Sequence, residues 1–103
     1  MITDKKEYLN QYSLQQAKIN RLNQMIYISP DKKDALSKEI EACMKLRDEI
    51  EFKIKKVDNG ILSELLFQKY VLEKSLLEIS YTLNYSKRQI ERLHIKAIDL
   101  FEI

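Results

Sequence analysis

A single glycine and a single proline in 103 residues restrict this chain more than any other feature. Sheet proteins need a turn about every ten residues, and they build those turns from Gly, Pro, Asn and Asp. Strong breakers stand together here at only two places, Ile28-Ser29-Pro30-Asp31 and Val57-Asp58-Asn59-Gly60. The chain is therefore expected to be all-α. One Cys, one His and no Trp exclude a zinc finger, a disulfide framework and a His-rich metal site, and no cofactor is expected. No apolar run approaches the roughly 20 residues of a membrane helix, so no membrane partner is expected. A lone Cys without a signal-peptide pattern points to the reducing cytoplasm.

The two breaks divide the chain into a helical hairpin over residues 1–57 and a second unit over residues 58–103. The first helix is expected from about Asp4 to Ile26, with Asp4 and Glu7 spaced as a capping box. Its apolar stripe is Tyr8, Tyr12, Ile19, Leu22 and Ile26, interrupted by Gln15. At the first break Ser29 can cap, Pro30 suits a first helical position and Asp31 suits the positive dipole end. The second helix is expected from Pro30 to Val57, with Gly60 as the cap beyond it. Leu36, Ile40, Cys43, Arg47, Ile50, Ile54 and Val57 alternate by four and three, which is a heptad seam. Cys43 on that seam reads as a buried, inert thiol. Arg47 reads as an edge residue whose stem covers apolar surface, or as a polar contact that sets register. A short connection makes the two helices antiparallel neighbours.

Three shorter helices are expected after Gly60. The first covers about Ile61 to Val71. The second begins at Ser75, where Ser75 and Glu78 have capping-box spacing, and Leu76, Ile79 and Leu83 share a face. The third begins at Ser86, where Ser86 and Gln89 repeat the box, and Ile90, Leu93, Ala97 and Leu100 share a face. Asn84 can take the left-handed conformation that the tight turn between them needs. A short helix, a tight turn and a longer helix describe a helix-turn-helix.

Charge sharpens this reading. The net charge of +2 does not mark a nucleic-acid binder. Between Ser86 and Lys96, however, Lys87, Arg88, Arg92 and Lys96 face Glu91 alone. The helix start would enter the major groove of DNA. Arg pairs with guanine and Gln with adenine through two hydrogen bonds each, so Arg88, Gln89 and Arg92 are the expected base readers. Ser86, Lys87 and Lys96 are the expected phosphate anchors. Duplex DNA is thus the expected partner.

At these residues the chain resembles region four of bacterial sigma factors. The resemblance is carried by Ser75-Leu76-Leu77-Glu78-Ile79, by Leu83-Asn84-Tyr85-Ser86-Lys87-Arg88-Gln89-Ile90-Glu91-Arg92-Leu93 and by Lys96-Ala97-Ile98. It is similar also to small phage and prophage proteins of Gram-positive bacteria that carry a Tyr-Ser-x-Arg-x-Val-x-Arg-Leu-His signature. Tyr85, Ser86, Arg88, Ile90, Arg92, Leu93 and His94 follow that signature, with Ile for Val. The likeness covers roughly residues 61–101. It implies a phage-encoded transcription regulator on the bacterial nucleoid, with RNA polymerase as a further partner. The sigma-factor turn glycine is Asn84 here, and a frequent glutamate of the recognition helix is Arg88, so no promoter preference carries over. A DNA-packaging recognition subunit and a polymerase-binding module are the alternative functions.

No catalytic residue is expected, because His94 has no Ser, Cys or carboxylate partner at a readable spacing. It is expected to pack at a domain boundary or touch a phosphate. Tyr8, Tyr12, Tyr70 and Tyr85 fall on core stripes, whereas Tyr81 is expected to point outward. A hairpin with one seam per helix cannot fill a core, and Leu77, Ile95, Ile98 and Phe101 lie outside the stripes. These features predict a homo-oligomer through the hairpin, with Ile40, Ile50 and Ile54 at the contact. Folding of the hairpin back on its own C-terminal unit is the alternative.

Overall fold

The computed structural model describes residues 4–103, and the described residues form helices without a strand. Helix α1 spans Lys5–Ile28, α2 Lys33–Lys55, α3 Gly60–Leu66, α4 Leu76–Leu83 and α5 Lys87–Leu100. A 3₁₀ turn at Pro30–Lys32 leads into α2, and a π turn at Phe67–Val71 prolongs α3.

Local chemistry explains most of the boundaries. Asp4 caps α1, its carboxylate accepting from the Lys6 N–H at 2.9 Å, but this is a simple cap and not the capping box that its spacing to Glu7 predicts. Ser29 departs from expectation: its side chain caps nothing, and its backbone N–H instead closes α1 on the Met25 carbonyl at 2.9 Å. Gly60 is also corrected. It is not a left-handed cap of α2 but the first residue of α3, with no positive φ. Its neighbour Asn59 is the cap, accepting from the Leu62 N–H at 3.1 Å. An Asx residue in extended conformation performs this role better than glycine closes the helix before it.

Helices α1 and α2 run antiparallel, as the pairing order shows. The Tyr8 hydroxyl donates to Glu49 at 3.1 Å, and Arg47 Nη1 donates to Gln16 Oε1 at 2.9 Å. Farther along, Ile19 and Leu22 pack with Ile40. Arg47 therefore supplies the polar cross-helix contact, the second of its two readings. Cys43 is only half-buried beside this cluster, because the thin upper arm has nothing outside it to cover the seam.

The principal core crosses the division at residues 57 and 58. Tyr8, Leu9, Ile50, Ile54 and Val57 from the base of the arm pack with Leu62, Leu66, Tyr70, Ala97 and Phe101. Ile50, Ile54 and Phe101 are fully shielded, and Ile40 is 8% exposed. The expected contact between copies through Ile40, Ile50 and Ile54 is thereby corrected. Ile50 and Ile54 are covered by the C-terminal segments of the same chain, and Ile40 by Ile19 and Leu22 of α1, so packing within one chain accounts for the burial of all three. Lys53 secures this end: its ammonium donates to Glu49 at 2.8 Å and to the Ile103 carbonyl at 2.6 Å. The upper arm projects beyond the core. The molecule measures 51 × 28 × 21 Å, and its radius of gyration of 16.1 Å exceeds the roughly 13 Å of a compact chain of this length.

Candidate nucleic-acid interface

The candidate surface is built on α4, the turn after it and α5. The capping boxes expected at Ser75 and Ser86 are both present. The Glu78 N–H donates to Ser75 Oγ and the Ser75 N–H to Glu78 Oε1, each at 3.1 Å. The Gln89 N–H donates to Ser86 Oγ at 3.2 Å, and the Ser86 N–H to Gln89 Oε1 at 3.0 Å. Between the boxes Asn84 sits at φ 60° and ψ 41°. The Tyr85 N–H then returns to the Ser80 carbonyl at 3.0 Å, closing a Schellman turn. Leu65, Ile79 and Ile90 form a small core beneath, flanked by Leu76, Leu83, Tyr85 and Leu93.

This core fixes the rotation of α5. Ile90, His94 and Ala97 are buried, so Arg88, Arg92 and Ile95 occupy the opposite side at helical spacing. Ser86, Lys87, Arg88, Gln89, Arg92 and Lys96 are all exposed. Lys87 reaches Glu91 at 3.7 Å, an exposed pair of small energetic weight. Among the described residues, Arg88, Arg92 and Lys96 enter no ion pair. Two expected contact residues are restricted by the box. The Ser86 hydroxyl also donates to Gln89 Oε1 at 3.2 Å, so Ser86 and Gln89 hold each other. Only the amide Nε2 of Gln89 is left to face outward.

His94 is not on this surface. It is 7% exposed, and its Nε2 shares a hydrogen bond of 2.8 Å with the Tyr70 hydroxyl. Of its two expected roles His94 takes the first, packing inside as a polar pair that joins α5 to the π turn, and not the phosphate contact. Burial, with Lys6 and Lys69 nearby, lowers the imidazole to about 4. Burial, with Asp4 nearby, raises the Tyr70 hydroxyl to about 12. Both groups are therefore neutral at pH 7. Sequence spacing could not pair residues 70 and 94, because nothing local links them.

The surface also carries Tyr81 and Ile95, 74% and 68% exposed. Tyr81 points outward as its position predicts. A cleft lies elsewhere, between the end of α2 and the C-terminal tail, lined by Phe52, Lys56, Leu100 and Ile103 among others. None of the expected contact residues borders it. Among the described residues no cluster of His, Cys, Asp or Glu is arranged to hold a metal ion, and no helix is long and apolar enough to cross a membrane. No family model, curated protein or solved structure matches the chain.

Proposed function

We propose that α4, the Asn84–Tyr85 turn and α5 form a helix-turn-helix that binds duplex DNA. On this reading the chain is a transcription regulator, of phage or prophage origin by its resemblance to that group. One observation carries the reading: the exposed side of α5 bears Arg88 and Arg92 opposite the side that packs, with Lys96 on its flank, and none of the three enters an ion pair among the described residues. Arg88 and Arg92 lie one turn apart, a spacing suited to successive base edges in a major groove. Lys87 and Lys96 lie beside them and suit phosphates. The capping pair Ser86–Gln89 holds the helix start at a defined angle, and its role is first structural.

The test is selection on random duplex DNA at fixed salt, followed by variants. Arg88→Ala is expected to relax base preference and to cost about 1 to 3 kcal/mol of affinity. Lys87→Ala is expected to weaken all sequences alike and to lower the salt slope by about one. Unchanged affinity in both variants refutes the reading. A ring of eight or more copies would instead favour a packaging recognition subunit, and capture of RNA polymerase without DNA an interaction module.

A further inference from the structure

A base-reading face made of cations alone would recognise hydrogen-bonding atoms and nothing else. The outward side of α5 is not of that kind. Ile95 stands seven residues after Arg88 and three after Arg92, on the same side of the helix. It is 68% exposed and contributes to none of the apolar clusters. The buried side of α5 is already filled by Ile90, His94, Ala97 and the half-buried Leu93, so packing does not call for an isoleucine at this position. Arg92 and Lys96 flank it without forming an ion pair among the described residues, and the exposed Glu91 and Asp99 lie one turn to either side of it. On the proposed reading this side of α5 enters a DNA major groove, and there the apolar group that a branched side chain can meet is the thymine methyl.

We infer that Ile95 is a specificity-determining residue that contacts a thymine methyl group in the bound duplex. The inference rests on the proposed DNA-binding reading of α5. Arg88 and Arg92 read hydrogen-bonding edges near the helix start. Ile95, about 10 Å beyond Arg88 and about 4.5 Å beyond Arg92 along the axis by helical rise, meets the next base step toward the helix end. The contact adds preference for thymine without adding charge, so it leaves the salt dependence of binding unchanged.

The test uses the full chain and the duplex enriched from a random pool, beside the same duplex with deoxyuridine at each thymine in turn. Loss of one particular methyl is expected to weaken the unaltered protein about three- to fivefold, the factor that corresponds to one buried methyl. Ile95→Ala is expected to bind the thymine duplex with a similar loss and to be indifferent to that methyl. Ile95→Val, which keeps a branched apolar tip, is expected to retain part of the discrimination. Arg88→Ala is expected to bind more weakly overall yet to keep the methyl effect in full. Because Ile95 is exposed, none of its variants should shift thermal unfolding, and circular dichroism checks this. An Arg88-dependent duplex without methyl discrimination, without an invariant thymine, or with discrimination that survives Ile95→Ala overturns the role of Ile95 alone. Failure to enrich any duplex overturns the DNA-binding reading together with it.

Discussion

Lowering the pH from 7 to 5 should destabilise this protein through a single side chain. His94 is the only histidine, it is nearly enclosed, and its imidazole sits at about 4 in the folded state. In the unfolded chain it returns to an ordinary value near 6.5. The folded state thus favours the neutral ring, and the unfolded state binds the proton more readily. Stability is complete above about pH 6.5 and declines as pH falls toward about 4, where both states are protonated. The slope is about 1.4 kcal/mol per pH unit, and about one and a half units of that window lie above pH 5, so the loss is about 2 kcal/mol. For a domain of this size, that loss corresponds to roughly 10 °C in melting temperature. Urea unfolding followed by circular dichroism at pH 7 and pH 5 measures it. The control is His94→Gln, which cannot take a proton and can still meet the Tyr70 hydroxyl. The carboxyls of Glu49 and Glu78 sit below their usual range because of Lys53 and the Ser75 cap respectively, so their contributions fade only at lower pH. They are common to both chains and cancel in the comparison. Equal losses in the two proteins would refute the reasoning, as would an NMR titration of the lone imidazole with a midpoint near 6.5.

Three further outcomes are expected. Ser75→Ala and Ser86→Ala should each cost about 1 kcal/mol in thermal melting through loss of the capping box; Ser86→Ala should also weaken DNA binding, whereas Ser75→Ala should not. Gly60→Ala should stabilise by about 0.5 kcal/mol in denaturant titration, because the position is helical, lacks a positive φ and leaves open space for a methyl; destabilisation would mean that the start of α3 is misplaced. Ile54→Ala should cost about 2 to 5 kcal/mol of unfolding free energy and leave the sedimentation coefficient unchanged, since the side chain is shielded within one chain; a change in association state would instead place it between copies.

Much of the secondary structure is legible in the residues because its causes are local. The Ser75 and Ser86 boxes, the left-handed Asn84 and the proline at the start of the 3₁₀ turn each act within four residues of their own position. The outward side of α5 follows from the 3.6-residue period once Ile90 and Ala97 are assigned inward. The misread boundaries are also instructive. Asn59-Gly60 is a break on either reading, but two competing caps lie side by side, and only the entry angle of α3 decides that Asn59 caps the helix that follows. The π turn at Phe67–Val71, and the left-handed Glu73 that follows it at φ 57°, have no turn residue to announce them. Sequence alone thus determined an all-α chain, two long helices, two capped short ones and one locally basic helix face. Tertiary structure decided which apolar surfaces meet. It buried Ile50, Ile54 and Phe101 in one core, paired Tyr70 with His94 and left Ile95 uncovered. Apolar burial depends on total area and not on direction, so the same stripe fits a second copy or the chain's own distant segment equally well. Only the three-dimensional path of the backbone, which brings residue 101 back beside residue 8, makes that choice.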